Sequence, residues 1–150
     1  MKKVVVLSDT HGLLRDEVKE LLKKADYIIH GGDINTQKIV DELKSYAELF
    51  IVRGNNDKEW AEYLPNSLYV TIEGVKFFVV HNKKDIPKDI EDVDVIVYGH
   101  SHKYYEKYTD GVLMLNPGSC GKRRFDQEIT LCTMEIENKE YKLEKININQ

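Results

Sequence analysis

Seven side chains able to ligate a metal ion stand just beyond apolar runs of this 150-residue chain. Asp9 and His11 follow "KVVVLS", Asp33 follows "YIIHGG", and Asn55 follows "LFIVRG". His81 closes "FFVV", and His100 and His102 follow "VDVIVYG". Residues two apart in an extended segment point the same way, so His100 and His102 can aim both imidazoles at one place. Taken singly, each of these short stretches is an ordinary polar turn; their recurrence at five strand ends carries the inference. The donors are nitrogen and oxygen with no thiolate, and seven are too many for one four-coordinate structural zinc. They suit two ions sharing a carboxylate, and imidazole with carboxylate favours Mn, Fe, Ni, Co or Zn over Mg or Ca. Two such ions about 3.5–4 Å apart ionise a bound water near neutral pH and clamp a phosphoryl group in line. His30 lies inside its apolar run and reads as a packed or supporting histidine.

The elements that must position these groups are readable from periodicity. The runs 3–8, 27–32, 49–54 and 93–99 are β-branched or apolar without helical period, and so predict buried strands. Between the first three, Leu14, Val18, Leu21 and Leu22 share one helical face, as do Ile39, Val40 and Leu43. Asn35 or Thr36 is the expected N-cap of the second helix. This alternation predicts parallel strands joined by right-handed crossovers, and ligands of such sheets gather beyond the carboxyl ends of the strands. The second half predicts hairpins instead, turning at Glu73-Gly74, Asp110-Gly111 and Asn138-Lys139. One mixed α/β domain spanning 1–150 is the expectation, with two stacked sheets flanked by helices.

Composition narrows the class. Lysine and arginine total 22 against 26 acidic residues, a formal charge of −4 without a basic block, which argues against a general nucleic-acid binder. Cys120 and Cys132 are too few for a disulfide framework. The start, "MKKVVVLSDTHG", reads as neither signal peptide nor membrane span, so a reducing cytoplasm is the expected location. A homo-oligomer is left open.

The order D-x-H, G-D, G-N-x-D, H, G-H-x-H resembles the calcineurin-like metallophosphoesterase superfamily. "SDTHG", "GGDI", "GNND", "GHSH" and "LNPGS" resemble its small bacterial and archaeal phosphodiesterase branch, and the likeness spans residue 4 to about 121. The resemblance implies a four-layer α/β/β/α sandwich with two divalent ions between the sheets, manganese foremost and nickel, iron, cobalt or zinc as alternatives. It gives Asp9, His11, Asp33 and His102 to one ion and Asp33, Asn55, His81 and His100 to the other, with Asp33 bridging. A metal-bound hydroxide would attack a small phosphodiester or nucleotide-like substrate. Residues 116–119 would form a supporting loop, and Asp57 would orient ligands.

Two positions depart from the wider pattern. Asn56 stands where many members carry a histidine believed to protonate the leaving group; the small phosphodiesterases commonly lack it too. His81-Asn82 stands where glycine usually follows the histidine. Lys83, Lys84, Lys103, Lys122, Arg123 and Arg124 fall near the loops as solvated charges that could meet a substrate phosphate. The alternative function is a binding scaffold with little catalysis, because the superfamily includes a retromer subunit that has lost much of its metal site. All seven ligand positions here carry competent side chains, which favours the enzyme.

Overall fold

The first strand, β1 (Lys2–Leu7), is apolar on both faces because both faces are covered. Val4, Val5, Val6 and Leu7 are fully buried, and each such side chain contributes roughly 1.5–3 kcal/mol relative to exposure. The computed structural model describes residues 1–123 and 127–148. After β1 come α1 (Asp16–Leu22), β2 (Tyr27–His30), α2 (Gln37–Tyr46) and β3 (Glu48–Ile51). Then follow β4 (Ser67–Ile72), β5 (Val75–Val80), β6 (Val95–Val97), β7 (Tyr105–Thr109), β8 (Val112–Asn116), β9 (Thr130–Glu137) and β10 (Glu140–Asn147). Short 3-10 turns occupy Glu59–Ala61 and Lys83–Asp85.

Two five-stranded mixed sheets result, ordered β10-β9-β1-β2-β3 and β4-β5-β6-β8-β7. Strands β1, β2 and β3 run parallel, as do β5, β6 and β8. The three expected hairpins are present, each with both turn residues at positive φ: Glu73-Gly74, Asp110-Gly111 and Asn138-Lys139. Such turns match the right-handed twist of the strands they join.

The layers follow from alternation along the strands. Val5, Leu7 and Ile28 pack outward against Val18 and Leu22 of α1 and Val40 and Leu43 of α2. Val4, Val6 and Ile29 pack inward against Phe77, Val79, Val97 and Leu115 of the second sheet. Leu14 belongs to the first cluster, although it precedes the helix. Thr36 is the N-cap of α2, its side chain accepting from the Ile39 amide at 3.4 Å. On the outer face of the second sheet, Phe78, Val80, Ile96 and Tyr98 are met by Ile86, Ile90 and Val93. The α/β/β/α order holds, but the fourth layer is thin: residues 81–94, with a single 3-10 turn instead of a helix. No helix among the described residues is long and apolar enough to cross a membrane.

Candidate metal centre

Six strands deliver their carboxyl ends to one edge of the sandwich, and the expected residues converge there. Asp9 Oδ1 lies 3.4 Å from His102 Nε2, 3.7 Å from His11 Nε2 and 4.0 Å from His81 Nε2. Asp33 Oδ2 lies 3.2 Å from His81 Nε2 and 3.8 Å from His11 Nε2, and the two ring nitrogens of His11 and His102 face each other at 3.3 Å. Two compact groups emerge: Asp9, His11 and His102, and Asp9, Asp33 and His81. Asp9 therefore stands in both groups, whereas the resemblance placed it at one ion. Asp33 reaches toward both through His11 and His81. His100 and Asn55 sit farther out: the His100 ring nitrogen is 3.2 Å from the Asn55 carbonyl oxygen, and its ring centre is 5.3 Å from that of His81.

The supporting hydrogen bonds explain the orientation. His81 Nδ1 donates to the Gly31 carbonyl at 2.7 Å, which turns the Nε2 lone pair to the centre. Asp57 accepts four backbone N–H groups, from Asp33, Ile34, Asn35 and Gly54, at 2.8–2.9 Å. It thereby ties the loop after β2 to the loop after β3. Asn56 donates to Asp33 twice, from its backbone N–H at 2.8 Å and its side-chain amide at 3.3 Å. In the loop at 116–119, Asn116 donates to the Gly99 carbonyl and the Ser101 hydroxyl, and Ser119 donates to the Asp9 carbonyl.

His30 is wholly buried: the Gly32 N–H donates to its Nδ1 at 3.0 Å, so its Nε2–H donates to Thr10 Oγ1 at 3.0 Å. Ser8, absent from the sequence-based set, donates to Asp9 Oδ2 at 2.7 Å; adjacency to Asp9 was its only signal. Lys83, Lys84 and Lys103 line a groove that reaches His100. Lys122 and Arg123 are exposed, and Arg124 lies outside the described residues.

Close packing accounts for Gly54 and Gly99. A Cβ at Gly99 would collide with Ser8 Oγ and Asp9 Oδ2, and one at Gly54 with Asp33. Neither glycine has positive φ. The left-handed conformation falls on Gly12 and Gly32 and also on Asp9, His11, Asp33, His100 and His102, the last five with φ between 46° and 75°. Non-glycine residues held there cost of order 1–3 kcal/mol each and cluster at functional sites.

Electrostatics point to a cation. Burial disfavours ionised Asp9, but His102, His11, His81 and Ser8 together outweigh it and hold the carboxyl well below the usual carboxylate range. Burial likewise opposes ionisation of Asp33, and the adjacent His81 ring and the Asn56 backbone N–H overcome this, lowering its pKa. Burial opposes protonation of His81, yet Asp33 and Asp9 prevail and raise its pKa. Asp9 Oδ1 and His81 Nε2 are buried and have no hydrogen-bond partner among the described residues. Two carboxylates held ionised beside imidazole nitrogens form a donor set that a divalent transition metal satisfies.

A two-sheet α/β sandwich with such a donor set at its strand ends defines the metallophosphoesterase class. The chain belongs to the calcineurin-like phosphoesterase superfamily, whose domain model matches residues 1–139. A "Probable metallophosphoesterase" of Methanocaldococcus jannaschii is 34% identical over 131 residues, covering 76% of this chain and 66% of that protein. One of the same description from Mycoplasma pneumoniae is 31% identical over 153 residues, covering 91% of each chain. A phosphodiesterase of M. jannaschii is 29% identical over 139 residues, covering 79% of this chain and 84% of its own. Among solved structures, wild-type Vps29 of Entamoeba histolytica in complex with zinc shares the fold, with TM-score 0.78, 21% identity and coverage of 98% and 99%.

Proposed function

We propose that the protein is a dinuclear metal-dependent phosphodiesterase. The observation that carries this reading is the pair of buried, unpartnered atoms Asp9 Oδ1 and His81 Nε2, 4.0 Å apart among ionised carboxylates. Such atoms cost 1–3 kcal/mol or more when left unsatisfied, and divalent cations would satisfy them. Asp9, His11, Asp33 and His102 would hold one ion; Asp33, Asn55, His81 and His100 would hold the other, manganese being the first candidate. Bound ions would supply the Lewis acidity that ionises a water and neutralises the phosphoryl oxygens.

The chain's own residues set the rest. Gly31 fixes the His81 tautomer, Asp57 holds two ligand loops in register, and Asn56 orients Asp33. An amide donates hydrogen bonds but delivers no proton at neutral pH, and general acid catalysis is typically worth about 10²–10⁴-fold. Departure of the ester oxygen then depends on its own acidity. The phosphodiesterase-named relative supports diesters over monoesters. The scaffold reading fits less well, because every ligand position carries a competent donor.

The test has two parts. Elemental analysis after loading with manganese should give two ions per chain, and at most one would overturn the dinuclear assignment. For a series of aryl diesters, log kcat should fall steeply as leaving-group pKa rises. A flat slope with chemistry rate-limiting would show that another residue supplies the proton.

A further inference from the structure

The outer face of the second sheet is only partly covered. Along β6, Val95 and Val97 face the inter-sheet core while Ile96 and Tyr98 face outward, as strand alternation requires. Val112 and Met114 of β8 face outward with them, and the β7–β8 register places Lys107 beside Met114 and Thr109 beside Val112. Ile86, Ile90 and Val93 pack over part of this face. Beyond them remains a groove of about 870 Å³, floored by Ile96, Tyr98, Val112 and Met114. That volume lies within the range of small-molecule sites.

The groove is continuous with the candidate metal centre, since Gly99, His100 and Ser101 form one end of it. Its charge is one-sided: Lys83, Lys84, Lys103 and Lys107 line it against a single acid, Asp110, among the described residues. On the other side of the centre lies a second recess of about 490 Å³, lined by Arg53, Asn55, Asn66 and Asn82. Asn82 borders both. Its side-chain oxygen Oδ1 caps the turn at Lys83–Asp85 by accepting from the Lys84 N–H at 3.0 Å. The centre thus lies between a polar recess and an apolar groove, and a phosphodiester has two ester arms to place.

We infer that the apolar groove seats one ester arm of the substrate, a planar aromatic group, while the polar recess takes the other. This rests on the phosphodiesterase reading and adds the substrate class to it. Tyr105 lines the groove and is 45% exposed, so its ring is available to a flat partner. The lysines complement the phosphodiester's negative charge, and the groove's opening toward His100 brings the phosphorus to the ligands.

Two diesters with the same leaving group separate this inference from its foundation. With manganese-loaded protein, 1-naphthyl 4-nitrophenyl phosphate should show kcat/KM at least tenfold above methyl 4-nitrophenyl phosphate. Met114→Glu and Val112→Trp should reduce that ratio at least fivefold while leaving the methyl ester within twofold. Equal values for the two esters in the unmodified protein, or a ratio untouched by both variants, would overturn the proposal.

A binding readout needs neither turnover nor a variant. The chain has three methionines: Met1 is exposed, Met134 is fully buried and Met114 is in the groove floor. In zinc-loaded protein labelled with methyl-¹³C methionine, the non-hydrolysable 1-naphthylmethylphosphonate should shift Met114 and leave Met134 in place. Hydrolysis of neither ester, with Met114 shifted, would overturn the phosphodiesterase reading and keep the groove. Hydrolysis of both, with Met114 unmoved, would overturn the groove and keep the enzyme. A Met114 shift that follows protein concentration without ligand would assign the groove to a second copy of the chain and overturn the proposal.

Discussion

The two ends of the sandwich use the same uncommon backbone conformation for opposite purposes. At one end, Glu73-Gly74, Asp110-Gly111 and Asn138-Lys139 enter the left-handed region to close hairpins in solvent. At the other, Asp9, His11, Asp33, His100 and His102 enter it to turn polar side chains inward. The hairpin turns lie near the surface, where residues that tolerate positive φ suffice, and two of them meet, the Lys139 N–H donating to the Glu73 carbonyl at 3.1 Å. The ligand residues are held by neighbours far along the chain, such as Asp57 beneath Asp33 and Ser119 beneath Asp9. Backbone strain alone does not mark a site; strain combined with burial and distant hydrogen bonds does.

The sharpest way to break this contrast is one substitution made at both ends. Asp33→Asn and Asp110→Asn keep a residue type that tolerates positive φ, so the backbone is held constant. Asp33→Asn should lose 10–100-fold in affinity for each ion and at least as much in activity, measured by competition with a chelator and by diester turnover. His102→Ala should weaken only one ion. Asp110→Asn should leave the affinity for both ions unchanged. Near-normal binding of both ions by Asp33→Asn would remove Asp33 from the bridge.

A smaller effect distinguishes space from conformation. Gly99→Ala meets Ser8 and Asp9, and overpacking of this kind costs typically 1–3 kcal/mol; the displaced His100 loop should also lower metal affinity about tenfold. Gly111→Ala meets nothing within 4 Å but is held at φ 82°, so it should cost about 1–2 kcal/mol with metal binding unchanged. Urea midpoints and metal titrations of the two variants test this. Equal metal affinity would show that Gly99 is not needed for close approach.

An effect spread over pH concerns His30. Burial holds its pKa down from 6.5 to about 4, against the pull of Asp9 and Asp57. Between those values the unfolded chain binds a proton that the folded chain refuses, so stability falls as pH is lowered from about 6.5 toward 4. The full loss is on the order of 3 kcal/mol, and half of it or less is reached by pH 5.5. Urea midpoints of the metal-free protein between pH 7 and 5 should therefore fall more steeply than those of His30→Gln. Parallel slopes would show that His30 is not kept neutral by burial.

Much of this organisation is legible in the sequence. Apolar runs placed β1, β2, β3 and β6, and turn dipeptides placed all three hairpins, because periodicity and φ preference are local properties. The convergence of Asp9, His11, Asp33, His81 and His102 was readable because parallel strands deliver their carboxyl ends to one edge. Three features were not. Gly54 and Gly99 serve as gaps for Asp33, Ser8 and Asp9, and five ligand residues bear positive φ themselves. Sequence spacing names the strand end that a residue leaves, not its direction around the turn, so the sharing of Asp9 between both groups stayed hidden. The thin fourth layer was hidden too, since residues 81–94 carry enough apolar side chains to cover part of a sheet without helical periodicity.

The four amides gathered by Asp57 also have a consequence in time. The N–H groups of Asp33, Ile34, Asn35 and Gly54 share one carboxylate, so a displacement of Asp57 frees all four at once. Their protection should rise and fall together, as one opening event that carries both ligand loops away from the centre. The rate of that event would set the pace at which a bound ion can leave.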